Sequence, residues 1–413
     1  MNTYFSRYAY QGKLFAEKPA RPLHLSVVIP CYNEPGIIPT LESLQQCAPV
    51  TGTEVIVIVN EPATCRPEIH RQNRVTLQEI ARWRQGRALN FNLLVHHLVA
   101  PAKTAGVGFA RKVGMDEAAR RFEEAGNRHG VICCFDADST CDKNYLTAIY
   151  EQFYLTSPRP HGAAVYYEHP YPADSRLREG IIQYELHLRY YVNALRYGGY
   201  PFARHTIGST MIVRSDIYQK IGGMNKRQAG EDFYFLHKLM PMGAFIELNN
   251  TTVYPAGRVS DRVPFGTGKA MGKWLQGNSP ALTTYNLQSF TGLKQLFARV
   301  EDFYRAEDKA LNKILAALPE SGQLFLQEVS FSRELARLNR QSKTVKTFVN
   351  NWYRFFDGFM VLRYLHFVRD HFYPDQPVVQ EARKLAALRW PGVNISNLAG
   401  ELLTLYRQQD KGL

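Results

Sequence analysis

Little in this chain suits an oxidising compartment or a bilayer. Its six cysteines form no C-x-x-C pair. Two of them, Cys133 and Cys134, lie inside the apolar run 131–135, where they serve as small hydrophobes. This usage argues against a disulfide framework and for a reducing, cytoplasmic setting. No stretch approaches the roughly 18 uncharged apolar residues that a spanning helix needs, and residues 1–15 lack the apolar core of a secretory signal. RNP-type aromatic motifs, zinc knuckles and heptad zippers are missing, so no nucleic-acid partner is expected. Internal repeats and low-complexity tracts are absent as well. So is histidine between His237 and His366.

What is present is ample core material and an excess of positive charge. The 413 residues are 45% hydrophobic, enough for two or three domains. A formal net charge of +13 points to anionic partners such as nucleoside diphosphates, anionic lipid surfaces or acidic glycans. After an aromatic, basic arm over 1–23, strands and helices alternate. Strands are expected at 25–29, 54–59, 92–98, 131–135, 163–169 and 210–213. Helices are expected at 37–46, within 66–90, at 108–122, near 143–155, at 176–197 and from Glu231 onward. The pattern predicts an α/β fold with a mixed, mostly parallel sheet flanked by helices. Residues 255–270 read as a Gly- and Arg-rich loop. Beyond about 290 the helical periodicity of 292–318, 322–340 and 343–370 predicts a C-terminal α-helical appendage. The expected division is therefore 1–23 as an extension, 24–290 as the α/β domain and 291–413 as a helical domain.

Chemistry-bearing residues gather where strands end. Asp136-Ala137-Asp138 follows the buried run VICCF, at the sheet edge where open α/β folds bind ligands. Two acids separated by one small residue can share a divalent cation that in turn holds a diphosphate. The competing reading makes Asp138 or Ser139 the cap of a helix starting near Lys143. Gly106 and Gly108 open a helix whose N-terminus favours anions, with Arg111 and Lys112 inside it and Lys103 just before. A dinucleotide fingerprint fails there, because Arg111 stands where the third glycine belongs. Glu231 and Asp232 begin another helix, where an acidic first turn also complements the dipole.

In their order along the chain, SVVIPCYNEPGIIPTLESL at 26–44, AGVGFARKVGMDEA at 105–118, the D-A-D and IGGMNKRQAGEDFYFLHKL at 221–239 together resemble the family 2 glycosyltransferases of the GT-A fold. The resemblance spans roughly residues 24–275. It implies a nucleoside-diphosphate sugar as donor, a hydroxyl-bearing acceptor (a glycan, glycolipid or small molecule) and inversion at the anomeric carbon. By the same resemblance Pro30, Tyr32 and Glu34 lie under the nucleotide. Asn60 and Glu61 stand where the family has an acidic pair, and one of them would accept from the base or ribose. Lys103, Gly108 and Arg111 face the diphosphate. Asp138 ligates Mn2+ or Mg2+, with Ala137 between it and Asp136, which binds the ribose or reaches the ion through water. Asp232 is the catalytic base and Glu231 its orienting neighbour. The strand carrying Met211 underlies the acceptor, with Arg214 after it. Arg258, Arg262 and Lys269 are basic candidates on the closing loop, accompanied by Ser260 and Asp261, and Gly257, Gly266 and Gly268 allow that loop to move. The missing histidine leaves the third protein ligand of the ion unassigned.

Two other readings compete. A non-catalytic scaffold on the same fold would use the basic surface and helical C-terminus to dock a membrane or an assembly. A nucleotidyltransferase lacks its Gly-rich phosphate loop straight after the first strand. The aromatic and basic segment 352–370 suits core packing, a homodimer contact or peripheral contact with the inner face of a membrane, packing being the favoured role.

Overall fold

The computed structural model describes residues 3–227, 230–260, 262, 266–277 and 281–412. They form two compact units. The first comprises 1–181, 206–276 and 410–413, the second 182–205 and 277–409.

Along the chain, α1 (Thr3–Arg7) precedes β1 (Leu25–Cys31), α2 (Ile37–Gln45), β2 (Thr53–Pro62), α3 (Pro67–Arg84), β3 (Asn92–Ala100), α4 (Val107–Ala125) and β4 (Val131–Cys134). Then come β5 (Thr140–Cys141), α5 (Tyr145–Tyr150), β6 (Gly162–Tyr167), α6 (Ser175–Tyr197), β7 (Met211–Arg214), α7 (Ser215–Lys220), α8 (Glu231–Leu239), β8 (Phe245–Tyr254) and α9 (Thr267–Gln276). The strands make one eight-stranded sheet in the order β3-β2-β1-β4-β7-β6-β8-β5. The pairs β1–β2, β2–β3, β1–β4 and β6–β8 run parallel, whereas β4–β7, β6–β7 and β5–β8 run antiparallel. This is the mixed, mostly parallel sheet expected from the alternation. Its strand order reverses between β1 and β4, so a crevice opens at their carboxyl ends.

Every residue of β1 is buried, which is why it reads as a continuous apolar run. Its odd-numbered side chains Leu25, Val27 and Ile29 pack with Ile37, Leu41 and Leu44 of α2. The opposite face carries Val28 toward α4: a Cβ on Gly114 would come within 2.5 Å of the Val28 side chain, so only glycine lets the helix seat so closely. The N-terminal arm is fixed to α4. Asp116 accepts hydrogen bonds from the Tyr4 hydroxyl (2.5 Å), the Tyr218 hydroxyl (2.6 Å) and the Tyr10 amide (2.7 Å), and pairs with Lys112 at 2.8 Å. Lys112 is thus buried on the arm side of the helix.

Several expectations shift. β8 went unread because FIELNNTTVY shows no clean alternation. Residues 267–270, expected at the end of a loop, open the helix α9. Helical unit boundaries differ as well. The second unit begins at Gly277 rather than 291 and takes in 182–205, because Leu186, Tyr190 and Ala194 of α6 share a core with Leu287, Phe290 and Leu293. Its helices are α10 (Leu287–Phe297), α11 (Asp308–Ala316), α12 (Glu320–Glu328), α13 (Phe331–Gln341), α14 (Val345–Phe355), α15 (Gly358–His371), α16 (Val378–Arg389) and α17 (Ala399–Lys411). The segment 352–370 is split by Asp357, whose carboxylate caps α15 by accepting from the Phe359 and Met360 amides. Its Trp352, Phe356, Val361, Tyr364, Leu365 and Val368 are buried in the second unit's core, and Trp352 stacks on Phe303 at 5.3 Å. Packing, the favoured role, accounts for this aromatic face. Among the described residues no helix is long and apolar enough to cross a membrane.

Candidate active site

The turn after β4 is not a helix cap. Thr140 and Cys141 pair with Tyr254 and Val253 of β8, and α5 starts only at Tyr145, behind Asn144. The turn closes on itself through the Ser139 amide and the Asp136 carbonyl, 3.1 Å. Thr40 of α2 donates to the Ala137 carbonyl at 2.8 Å, and the Ala137 side chain is buried in the core. Ala137 therefore anchors the turn, leaving its two carboxylates to project at the crevice.

Each carboxylate meets a guanidinium. Arg111, buried on α4, reaches Asp136 Oδ1 at 2.6 Å and Glu231 Oε1 at 2.9 Å. Arg111, which the resemblance points at a diphosphate, joins the strand-end acid to the start of α8 in the fold. Desolvation works against its charge, but Asp136 and Glu231 more than offset this and hold its pKa above the usual arginine value. Gly108 serves the same junction, since a Cβ there would lie 2.2 Å from the Arg227 carbonyl and 2.9 Å from Glu231 Cβ. Gly208 does likewise, because a Cβ on it would stand 2.6 Å from the Arg111 guanidinium.

Asp138 faces the loop that follows β8. Its Oδ2 accepts from Arg262 at 2.7 Å and from Arg258 at 3.3 Å. The same two arginines also bind Glu34 Oε2, the acid that closes the PCYNE turn after β1. Glu34 is fully buried, and its other oxygen accepts from the Gly36 amide at 2.8 Å. Ser260 orients Arg262 by accepting from its Nε at 2.8 Å. A Cβ on Gly268 would meet Ser260 at 2.5 Å, so this glycine lets α9 close on the loop rather than loosening it. Asp261 lies outside the described residues.

At the head of α8, Glu231 is buried and Asp232 is partly open. Desolvation raises the Glu231 pKa to about 7, with Arg111 opposing and Asp232 adding to the rise. Asp232 is raised as well, again chiefly by desolvation and against Arg111. Asp136 follows the same pattern, with Asp138 and Asp232 adding to the rise. Close acids held in a crevice with displaced pKa values are the electrostatic setting of proton-transfer chemistry.

Elsewhere the predicted residues divide. Pro30 is buried in β1, and Tyr32 is half-buried on the turn, its hydroxyl pKa raised mainly by desolvation. Asn60 and Glu61 are buried at the end of β2. Glu61 accepts from Asn73 Nδ2 at 2.9 Å and contacts His70 Nδ1 at 2.7 Å. Neither Asn73 nor His70 was singled out from the sequence, and no local motif marks them. Lys103 is exposed on the turn before α4. Met211 is buried in β7, and Arg214, the last residue of that strand, lies opposite Val131, the first residue of β4, and pairs with Asp216 at 2.7 Å. That is the end of the strand remote from Asp136.

No family model matches the chain, and no curated protein matches it. Among solved structures, residues 1–349 of Staphylococcus aureus TarS in complex with UDP-GlcNAc are 16% identical, with a TM-score of 0.41 over 80% of this chain and 92% of that one. The same segment with UDP gives 16% identity and a TM-score of 0.39 over 81% and 92%. Whole TarS gives 16% identity and 0.38 over 77% of this chain and 54% of that one. Overlaps this loose do not bear on the role of any residue.

Proposed function

We propose that the chain transfers a sugar from a nucleoside-diphosphate donor to an acceptor hydroxyl, with inversion, as the resemblance to family 2 glycosyltransferases implies. The observation that supports this best is the meeting of Glu34, Asp136, Asp138 and Glu231 with Arg111, Arg258 and Arg262 at the carboxyl ends of β1 and β4, next to Asp232. In this reading Arg258 and Arg262 turn from Glu34 and Asp138 to the donor diphosphate, and the carboxylates keep them poised until it arrives. Arg111 acts as a positioning residue that fixes Asp136 and Glu231. Asp232, the more open of the helix-start pair, takes the proton of the acceptor hydroxyl.

The Asp136–Asp138 pair fits Mn2+ or Mg2+: it offers only oxygen donors, and both side chains are partly exposed, 35% and 25%. Asp138 with Asp136 would hold the ion, which would supply positive charge to the departing diphosphate. Among the described residues no third ligating side chain converges with them.

Nucleoside diphosphate should be released slowly from a nucleotide sugar with Mn2+ present, even without acceptor. A docking scaffold would release none. Transfer should fall as the pH drops through about 7, where Glu231 takes up a proton and no longer orients Asp232 as a carboxylate. The sign for stability is opposite. A carboxyl raised from 4.5 to about 7 stabilises the fold most below 4.5, and that contribution is lost as the pH rises through about 7. A flat pH–rate profile across this window would remove the pair from the chemistry. Retained anomeric configuration in the product would exclude single displacement.

A further inference from the structure

Glu61, Cys65 and His70 bring a carboxylate oxygen, a thiol sulfur and an imidazole nitrogen within 4.8 Å of one another. Among the described residues this is the group of three ligating side chains whose donor atoms converge. A fourth donor stands beside it. His97 Nε2 lies 3.3 Å from Glu61 Oε1, is buried, and makes no hydrogen bond. The three donors of the group are close enough to close on one small cation, and His97 approaches it from the Glu61 side.

The ligands sit on fixed elements. Glu61 is near the end of β2, and His97 is on β3, where it registers with Val59. His70 is in the first turn of α3, and Cys65 lies in the short connection before it. Asn73, one turn further along α3, donates from Nδ2 to Glu61 Oε2 at 2.9 Å. That leaves Oε1 directed at His70 and His97. An outer hydrogen bond that orients a ligating carboxylate in this way is a common part of metal sites.

We propose that Glu61, Cys65 and His70 form a binding site for a divalent transition metal, zinc being the best match, which His97 would join as a fourth ligand, distinct from the Asp136–Asp138 pair. A mixed sulfur, nitrogen and oxygen set favours Zn2+ over Mg2+ or Ca2+, which take oxygen donors only. Metal binding here requires the Cys65 thiolate and releases its proton to solvent, with both imidazoles neutral. With His97 as fourth ligand the site would be closed and structural. It pins the 63–70 connection and the start of α3 to β2 and β3. It also removes Glu61 from the set available to a nucleoside and leaves Asn60, whose buried Oδ1 has no hydrogen-bond partner, for that contact.

The metal-stripped full chain should be titrated with Co2+, followed by Zn2+. One Co2+ per chain is expected, with a thiolate-to-cobalt charge-transfer absorption that Zn2+ abolishes. Cys65→Ser should lose that absorption and bind at least about tenfold more weakly, and His97→Ala should also weaken binding about tenfold or more. Zn2+ should raise the melting temperature of the wild type and not of Cys65→Ser. An absent charge-transfer band in the wild type overturns the proposal. So does a band that survives Cys65→Ser, which would assign the sulfur to another cysteine. Circular dichroism of the metal-free variants separates lost ligation from lost folding. None of these readouts depends on sugar transfer, so their failure would leave the proposed activity standing.

Discussion

Asp232→Asn is expected to lower the transfer rate by about 100- to 10,000-fold, the usual contribution of a positioned general base, with donor affinity nearly unchanged. The amide keeps the shape of the side chain and can still accept from the Phe233 amide, which now meets Oδ1 at 2.7 Å. Only the capacity to take a proton is lost. Because the substitution also removes a negative charge beside Glu231, the Glu231 carboxyl should titrate below its present value of about 7. Steady-state rates and donor titrations on one preparation check both halves. Full transfer activity in the variant would take the base role away from Asp232, and a parallel loss of donor binding would recast it as a donor ligand.

Arg111→Met should be the most destabilising single change in the crevice. Arg111 is buried between Asp136 and Glu231, and methionine fills similar space without charge. Breaking a buried pair by removing one partner costs about 3–5 kcal/mol, because the remaining charge has no partner. The stranded Glu231 can relieve this by taking a proton, since Arg111 is the largest influence opposing the desolvation that already raises its pKa. The loss should therefore be larger at pH 8 than at pH 5, a signature that simple loss of packing does not share. Urea midpoints at the two pH values supply the measurement. An equal loss at both would mean that Arg111 acts as bulk rather than as charge.

These two residues also mark how far the sequence could be read. Strand ends, turn glycines and the acids at the head of α8 were legible because each belongs to a short local string: PCYNE, FDAD, GED. The sheet order was not, nor were the partners of the arginines. Arg258 and Arg262 find Glu34 more than two hundred positions away, and no local pattern encodes which acid a loop arginine will meet. Arg111 was read as a phosphate ligand because its position after a Gly-rich turn allowed it. Burial against two carboxylates is a property of the packed fold. The break between α14 and α15 was hidden in an aromatic run, although Asp357-Gly358 is a cap signal when the helical period is set aside. Glu61 drew notice as a departure from an expected acidic pair. Its neighbours Cys65, His70 and His97 did not, since which side chains come near Glu61 depends on the register of β2 with β3 and on the entry of α3.

The central claim is that a nucleoside-diphosphate sugar binds at the carboxyl ends of β1 and β4. Thermal melting against a panel of nucleotide sugars, with and without Mn2+, tests it most directly. A ligand at one hundred times its Kd stabilises by about 2.7 kcal/mol, which for a unit of this size raises the melting temperature by roughly 5–10 °C. At least one nucleotide sugar should give such a rise with Mn2+ present, and Asp138→Ala should reduce it. No rise from any nucleotide sugar, or a rise that Asp138→Ala leaves unchanged, would contradict the assignment.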